Sequence, residues 1–223
     1  MKLKHLGIIA DGNRRWAKEH GIPKIEGHKR GLDVIQELIE AAKDTGIEYV
    51  TFYVFSTENW GREKTEVDYI MKLLATRILG YAKRMEKNNV RMLILGARER
   101  VSKKLLSLID EAEALTAHCT GMTACFCFNY GGKQEIADAA KAVVAAGEEI
   151  TPDSIRAHLY HPEVPDVDMV VRPSGEERIS GFMLWRSAYA EFLFIKKYFP
   201  EMSREDISEI IQNFEKRQRR FGR

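Results

Sequence analysis

Six short runs of apolar, aromatic and β-branched residues, separated by stretches of helical periodicity, limit this chain's fold more than any other feature. The runs fall at 6–10, 49–55, 90–95, 122–128, 167–171 and 192–195. Between them, Val34, Ile35, Leu38, Ile39 and Ala42 keep to one face of a helix that Gly46 would stop. Val67, Ile70, Met71, Leu74, Ile78 and Met85 line a long helix with Thr65 as its expected N-cap. Helices are expected at about 102–117 and 133–146, after Thr151-Pro152, over 184–190, and after Ser203 with Ile207, Ile210, Ile211 and Phe214 inward. The stretch 17–30, with Gly21, Pro23, Gly27 and His28, reads as polar and irregular. Strand–helix alternation of this kind predicts an α/β fold: one mostly parallel six-stranded sheet flanked by helices, in a single domain spanning 1–223.

Composition removes several functional classes. With 44% apolar residues the chain can bury a sizeable core, and a net charge of +2 is no general attraction for nucleic acid. The basic excess is local, in K-R-Q-R-R-F-G-R at 216–223, without an aromatic-basic recognition motif beside it. No apolar run approaches the roughly 20 residues that span a bilayer, and the N-terminus lacks a signal-peptide core, so a cytoplasmic location is expected. Cys119, Cys125 and Cys127 form no C-x-x-C pair and suit a reducing compartment, the latter two as strand packing. No G-x-x-x-x-G-K-[ST] phosphate loop is present.

Three of the strands end in polar motifs. Asp11-Gly12-Asn13 follows the first, Ser56 to Arg62 the second, and Arg172 to Ser180 the fifth. Ligands of open parallel sheets bind beyond the carboxyl ends of strands, so these motifs should converge on one crevice. Asp11 brings a hard oxygen ligand suited to Mg2+, Gly12 allows close backbone approach, and Arg14 and Arg15 bring forked donors suited to phosphate. That combination points to a metal–diphosphate substrate.

The motifs D-G-N-R-R-W at 11–16, G-H-K-R-G at 27–31, F-S-T-E-N-W at 55–60, N-Y-G-G at 129–132, R-P-S-G-E-E-R-I-S at 172–180 and L-W-R-S-A-Y-A-E at 184–191 resemble, in order and over nearly the whole chain, those of the cis-prenyltransferase family. The resemblance implies Mg2+-dependent condensation of isopentenyl diphosphate with an allylic diphosphate, adding a cis double bond each cycle, in a fold with a hydrophobic tunnel for the prenyl chain. It assigns Asp11 to Mg2+ and to turnover. Gly12, Asn13, Arg14, Arg15, Lys24 and His28 go to the allylic diphosphate, and Arg172, Arg178, Ile179 and Ser180 to isopentenyl diphosphate. Ser56, Thr57, Glu58 and Arg62 belong to the same substrate-binding set, and Trp16, Trp60 and Phe55 would border the prenyl chain or pack the core. Glu191 resembles a second Mg2+ contact, associated with a partner subunit, and Arg220, Phe221 and Gly222 resemble elements that complete the neighbour's site. A homodimer is therefore implied, with a product able to partition to membrane.

Asn59 resembles the family's proton acceptor. A neutral amide is a poor base, so positioning a water, a phosphate oxygen, Ser56 or Glu58 is the alternative role. Lys24 stands where Arg is common, Arg14 where Gly is frequent, Pro173 where Thr or Gly is usual, and Gly181 where Asn is common; none of these removes a charge from the proposed chemistry. Tunnel walls are expected from Ile70, Leu74, Ile78, Val54, Met122 and Ala124, with Phe126 and Phe128 adding volume. Bulk at Val54 favours a medium-length product. A same-fold synthase of short or irregularly joined products is the closest competing reading; a non-catalytic partner subunit is disfavoured by the intact Asp11 and Asn13.

Overall fold

The structure, a computed structural model, describes residues 2–217. Its strands are β1 (His5–Ile9), β2 (Tyr49–Ser56), β3 (Arg91–Leu95), β4 (Thr123–Tyr130), β5 (Met169–Arg172) and β6 (Glu191–Phe194). The helices are α1 (Asn13–Glu19), α2 (Lys24–Ala42), α3 (Lys64–Lys87), α4 (Lys103–Thr116), α5 (Gly132–Ala145), α6 (Pro152–Ala157) and α7 (Arg204–Glu215). All six strands pair in parallel, in the order β3-β4-β2-β1-β5-β6. Every residue of β1 is buried, as a strand covered on both faces requires. One face packs against α2, α3, α4 and α7; the other is covered by the segment carrying Val164, Phe182 and Met183.

The sheet order places the site. β1 pairs with β2 on one side and β5 on the other, so the chain departs from β1 in both directions and a crevice opens beyond its carboxyl end. Asp11, Ser56 and Arg172 all lie at that end. Near it β2 and β4 fall out of register: Tyr53 faces Cys127 while Phe55 faces Phe128, leaving Val54 as an extra residue that re-aims the strand.

Several local expectations change. The stretch 17–30 is not irregular: α1 begins at Asn13 and α2 at Lys24, and Gly27 and Gly31 lie inside α2 because Asn13 packs there. A Cβ on Gly27 would come within 2.2 Å of the Asn13 carbonyl oxygen, and one on Gly31 within 2.4 Å of Asn13 Oδ1. Two motifs far apart in sequence are thus one packing unit. The long helix starts one residue before Thr65, capped by Glu63 without a side-chain bond. No helix forms over 184–190, where the chain is a series of turns. Ser180, Gly181 and Met183 take φ of 50°, 76° and 46° just before it, and Arg186 is drawn into the interior. The caps at Thr151 and Ser203 are as expected, and Ser102, expected only as the start of a helix, caps α4 by accepting from the Leu105 N–H. The cysteines are free and buried. Among the described residues no helix is long and apolar enough to cross a membrane.

Candidate active site

The turn after β1 is built for crowding. Gly12 has φ +98°, and a Cβ there would lie 2.6 Å from Tyr198 Cδ1. That backbone lets α1 begin immediately and holds Asp11 against the end of β5. Arg172 Nη2 and Nε donate to Asp11 Oδ2 at 2.8 and 3.2 Å, Ser174 Oγ donates to it at 3.0 Å, and Gly12 N–H donates to Oδ1 at 2.7 Å. Burial pushes the Asp11 carboxyl up, but these donors outweigh it and hold it below the usual carboxylate range, ionised at neutral pH. Arg15 closes the ring, donating to Ser174 Oγ at 2.8 Å, Ser174 O at 3.2 Å and Glu176 Oε1 at 2.9 Å. Arg172 Nη1 reaches onward to Ser180 Oγ at 2.9 Å and Arg178 O at 2.5 Å.

A second cationic group faces this cluster across the crevice. Glu66, in the first turn of α3 and almost fully buried, lies 3.3 Å from His28 Nε2, 3.2 Å from Arg62 Nη1 and 3.8 Å from Arg14 Nε. Burial and the nearby Arg62 push the His28 pKa below its ordinary value, so the ring is neutral at pH 7 despite the carboxylate beside it.

Between the two groups lies a cavity of about 800 Å3, within the range of small-molecule sites. Its mouth carries Asp11, Gly12, Asn13, Arg14, Arg15, Lys24, His28, Ser56, Asn59, Arg62, Arg172 and Ser180. Inward, its wall turns apolar at Ile35, Val54, Phe55, Ile70, Leu73 and Phe199. Leu32, Ile35, Val54 and Leu74 border both this cavity and a further apolar chamber of about 50 Å3. The expected walls Ile70, Leu74, Ile78, Val54, Phe126 and Phe128 do border one or both spaces; Met122 and Ala124 do not, being core residues at the amino-terminal end of β4.

Not every expected site residue reaches the cavity. Trp16 packs against His20 with ring centroids 4.5 Å apart and the rings tilted by 34°, and Trp60 donates through Nε1 to Asn129 Oδ1 at 2.7 Å beneath Arg100, tying the S-T-E-N-W and N-Y-G-G motifs together. Thr57 packs against Gly131, and Glu58 is exposed. Asn59 Oδ1 accepts the Ser56 N–H at 3.2 Å, capping the single helical turn Thr57–Gly61, so a positioning role has a geometric basis. Arg178 is exposed and paired with Glu176, and Ile179 packs under the sheet with the Val164 cluster. Glu191 opens β6 at the opposite end of the sheet and accepts from Arg217 at 2.7 Å. Arg220, Phe221 and Gly222 lie outside the described residues.

Sequence reasoning passed over Glu66, Ser174 and Leu32. The Arg62–Glu66 spacing of four was the available signal for the first; Ser174 had none beyond its motif, and Leu32 none beyond following G-H-K-R-G.

The undecaprenyl diphosphate synthase model of the prenyltransferases matches residues 9–222. The chain belongs to that family. It is 44% identical to an isoprenyl transferase of Rickettsia sibirica over 99% of this chain and 98% of the relative, and 42% identical to that of Thermotoga maritima over 98% and 96%. Among solved structures it is similar to lavandulyl diphosphate synthase from Lavandula x intermedia in complex with dimethylallyl diphosphate (TM-score 0.94, 30% identity, 100% and 99% of the chains). It is also similar to a probable undecaprenyl diphosphate synthase from Campylobacter jejuni (TM-score 0.86, 33% identity, the whole of both chains). The protein is a prenyltransferase.

Among the described residues no three His, Cys, Asp or Glu side chains gather to hold a metal. The ionised Asp11 is the carboxylate among the residues lining the cavity. A single protein carboxylate fits Mg2+, which commonly takes its other ligands from substrate phosphates and water.

Proposed function

We propose that this prenyltransferase catalyses cis-prenyl chain elongation, condensing isopentenyl diphosphate with an allylic prenyl diphosphate in the presence of Mg2+. The observation that supports it best is one continuous cavity with a guanidinium-rich mouth and an apolar interior. Arg14, Arg15, Lys24, Arg62 and His28 would hold the allylic diphosphate, joined by the backbone N–H of Asn13 at the start of α1 and by Gly12 through the close approach of its backbone, its own N–H being given to Asp11 Oδ1. Arg172, Arg178 and Ser180 would hold the second diphosphate, and Asp11, between them, would hold Mg2+. When bound, the metal neutralises charge growing on the departing diphosphate. The fixed guanidinium groups stabilise the same charge without reorganising. Asn59, locked by Ser56, orients the groups that receive the proton.

The whole chain, 1–223, works as one domain and pairs as a homodimer in the cytoplasm, releasing its product toward membrane. The exposed Tyr189, just before edge strand β6, and Phe192, within it, favour that pairing, and Glu191, at the opposite end of the sheet from Asp11, would serve the neighbour's metal. Sedimentation of an active monomer, or a 218–223 deletion with unchanged kinetics, argues against it.

A short or irregularly joined product is the second reading, favoured by the small volume of the inner chamber, about 50 Å3. Incubation with labelled isopentenyl diphosphate and primers of several lengths, with Mg2+ or a chelator, then sizing of products, tests both. A ladder of lengthening products supports elongation; a single joined product supports the alternative, and metal-independent turnover refutes the Mg2+ assignment.

A further inference from the structure

Tyr198 stands beside the Asp11 turn without belonging to any of the sequence motifs. It lies on the segment after β6, which straps two of those motifs together. Lys197 O accepts the Ser174 N–H at 2.8 Å, Ile195 O accepts the Gly175 N–H at 2.9 Å, and the Phe199 N–H donates to Asp11 O at 3.0 Å. The Tyr198 ring presses on Gly12, where an added Cβ would lie 2.6 Å from its Cδ1. The same ring lies under Arg15, with the guanidinium carbon 5.7 Å from the ring centroid, within cation–π range. The Tyr198 hydroxyl donates to Glu19 Oε1 at 2.5 Å.

Arg15 and Glu19 share α1 and stand four residues apart, the spacing at which an arginine and a carboxylate are neighbours on a helix surface. Arg15 nevertheless pairs with Asp11 and Glu176, at the cavity, while Glu19 is taken by Tyr198. We propose that Tyr198 is a positioning residue for Arg15: its hydroxyl takes up the carboxylate that would otherwise draw the guanidinium along α1, and its ring backs the guanidinium where it borders the cavity. The proposal rests on the elongation reading, which assigns Arg15 to the allylic diphosphate. The Arg15 side chain is 42% exposed, so without a brace it has rotamer freedom to lose on binding. A guanidinium already held in place loses less, and diphosphate engages it at lower cost. A planar fork meets phosphate with its edge, which a ring against its face leaves open.

Tyr198→Phe keeps the ring and releases Glu19. KM for the allylic diphosphate should rise about threefold with kcat little changed, and the melting temperature should stay within about 2 °C of wild type. Adding Glu19→Gln to Tyr198→Phe should return KM to within about 1.5-fold of wild type, because an amide carries no charge to compete for Arg15. A purely structural loss of the Tyr198–Glu19 hydrogen bond would not be repaired by changing its second partner. Tyr198→Leu, which loses the ring as well, should raise KM about tenfold, and Glu19→Gln should restore it only in part. A wild-type KM in Tyr198→Phe, or a raised one that Glu19→Gln fails to lower, overturns the proposal; a wild-type KM in Tyr198→Leu overturns the role of the ring. Arg15→Lys, measured alongside, should raise the same KM about tenfold or more. An unchanged KM there overturns the assignment of Arg15 and this proposal with it, whereas a raised one beside an unchanged Tyr198→Phe overturns this proposal alone.

Discussion

Two arginine–carboxylate clusters flank the loop that follows β5, and they are built to opposite ends. At the crevice, Arg172 and Arg15 surround Asp11, whose side chain is still 28% exposed. Behind the loop, Arg186 and Glu135 pair at 2.7 Å with neither side chain exposed at all. Arg186 also donates to the carbonyls of Val164, Tyr160 and His161, and Tyr130 donates to the other Glu135 oxygen at 2.5 Å. The inner cluster has nowhere to put a ligand: its guanidinium is spread over three backbone carbonyls and a carboxylate. The outer one keeps an ionised carboxylate facing a cavity. The same residue types make scaffold in one place and site in the other, and what separates them is access.

The comparison can be broken from either side. Asp11→Ala should lower turnover by about 10³-fold or more, while the melting temperature falls by less than about 5 °C; steady-state kinetics at saturating Mg2+ with calorimetry checks both, and near-normal turnover refutes the assignment. Arg186→Met should do the reverse. Leaving Glu135 buried and unpaired is expected to cost about 3–5 kcal/mol in denaturant unfolding, with kcat of the folded fraction within a factor of about three of wild type.

A third test uses the scaffold's other sealed group. His5 is fully buried between Thr51 Oγ1 at 2.7 Å and the Pro165 carbonyl at 3.0 Å. Burial pulls its pKa down to about 4, so the unfolded chain takes up the proton first. Stability is full above about pH 6.5 and is lost as pH falls from there toward 4, by about 3 kcal/mol at most. Denaturant unfolding across that range should show the decline, and His5→Gln should flatten it. The smallest effect belongs to exposed Arg178 at the rim. Arg178→Ala should raise KM for isopentenyl diphosphate about tenfold with kcat little changed; an unchanged KM removes it from the site.

The sheet was legible because parallel strands buried on both faces read as apolar runs, and its six members lie within two residues of their expected places. The convergence of Asp11, Ser56 and Arg172 followed from strand direction alone. What stayed hidden was long-range. α1 and the start of α2 exist because Gly27 and Gly31 admit Asn13, a contact no local pattern reveals. The missing helix at 184–190 gives way to Arg186 being pulled inward by Glu135, 51 residues earlier. Trp60 reads as a chain-lining aromatic until Asn129 appears beside it. The sequence around Val54 suggests bulk, but nothing in it shows the register slip between β2 and β4 at that residue, which borders both apolar spaces.

The central position of β1 has a consequence for how the protein is made. β1 pairs with β2 early, but its other neighbour, β5, emerges more than a hundred residues later. At 5–20 residues per second the ribosome needs on the order of ten seconds to close that gap. Throughout it, one edge of an entirely buried strand waits without its partner, a template for pairing with another nascent chain. Arg172, which completes the Asp11 cluster, arrives on that last central strand. Growing chains should therefore depend on shielding during synthesis, and the ring around Asp11 can close only once about three-quarters of the polypeptide has been made.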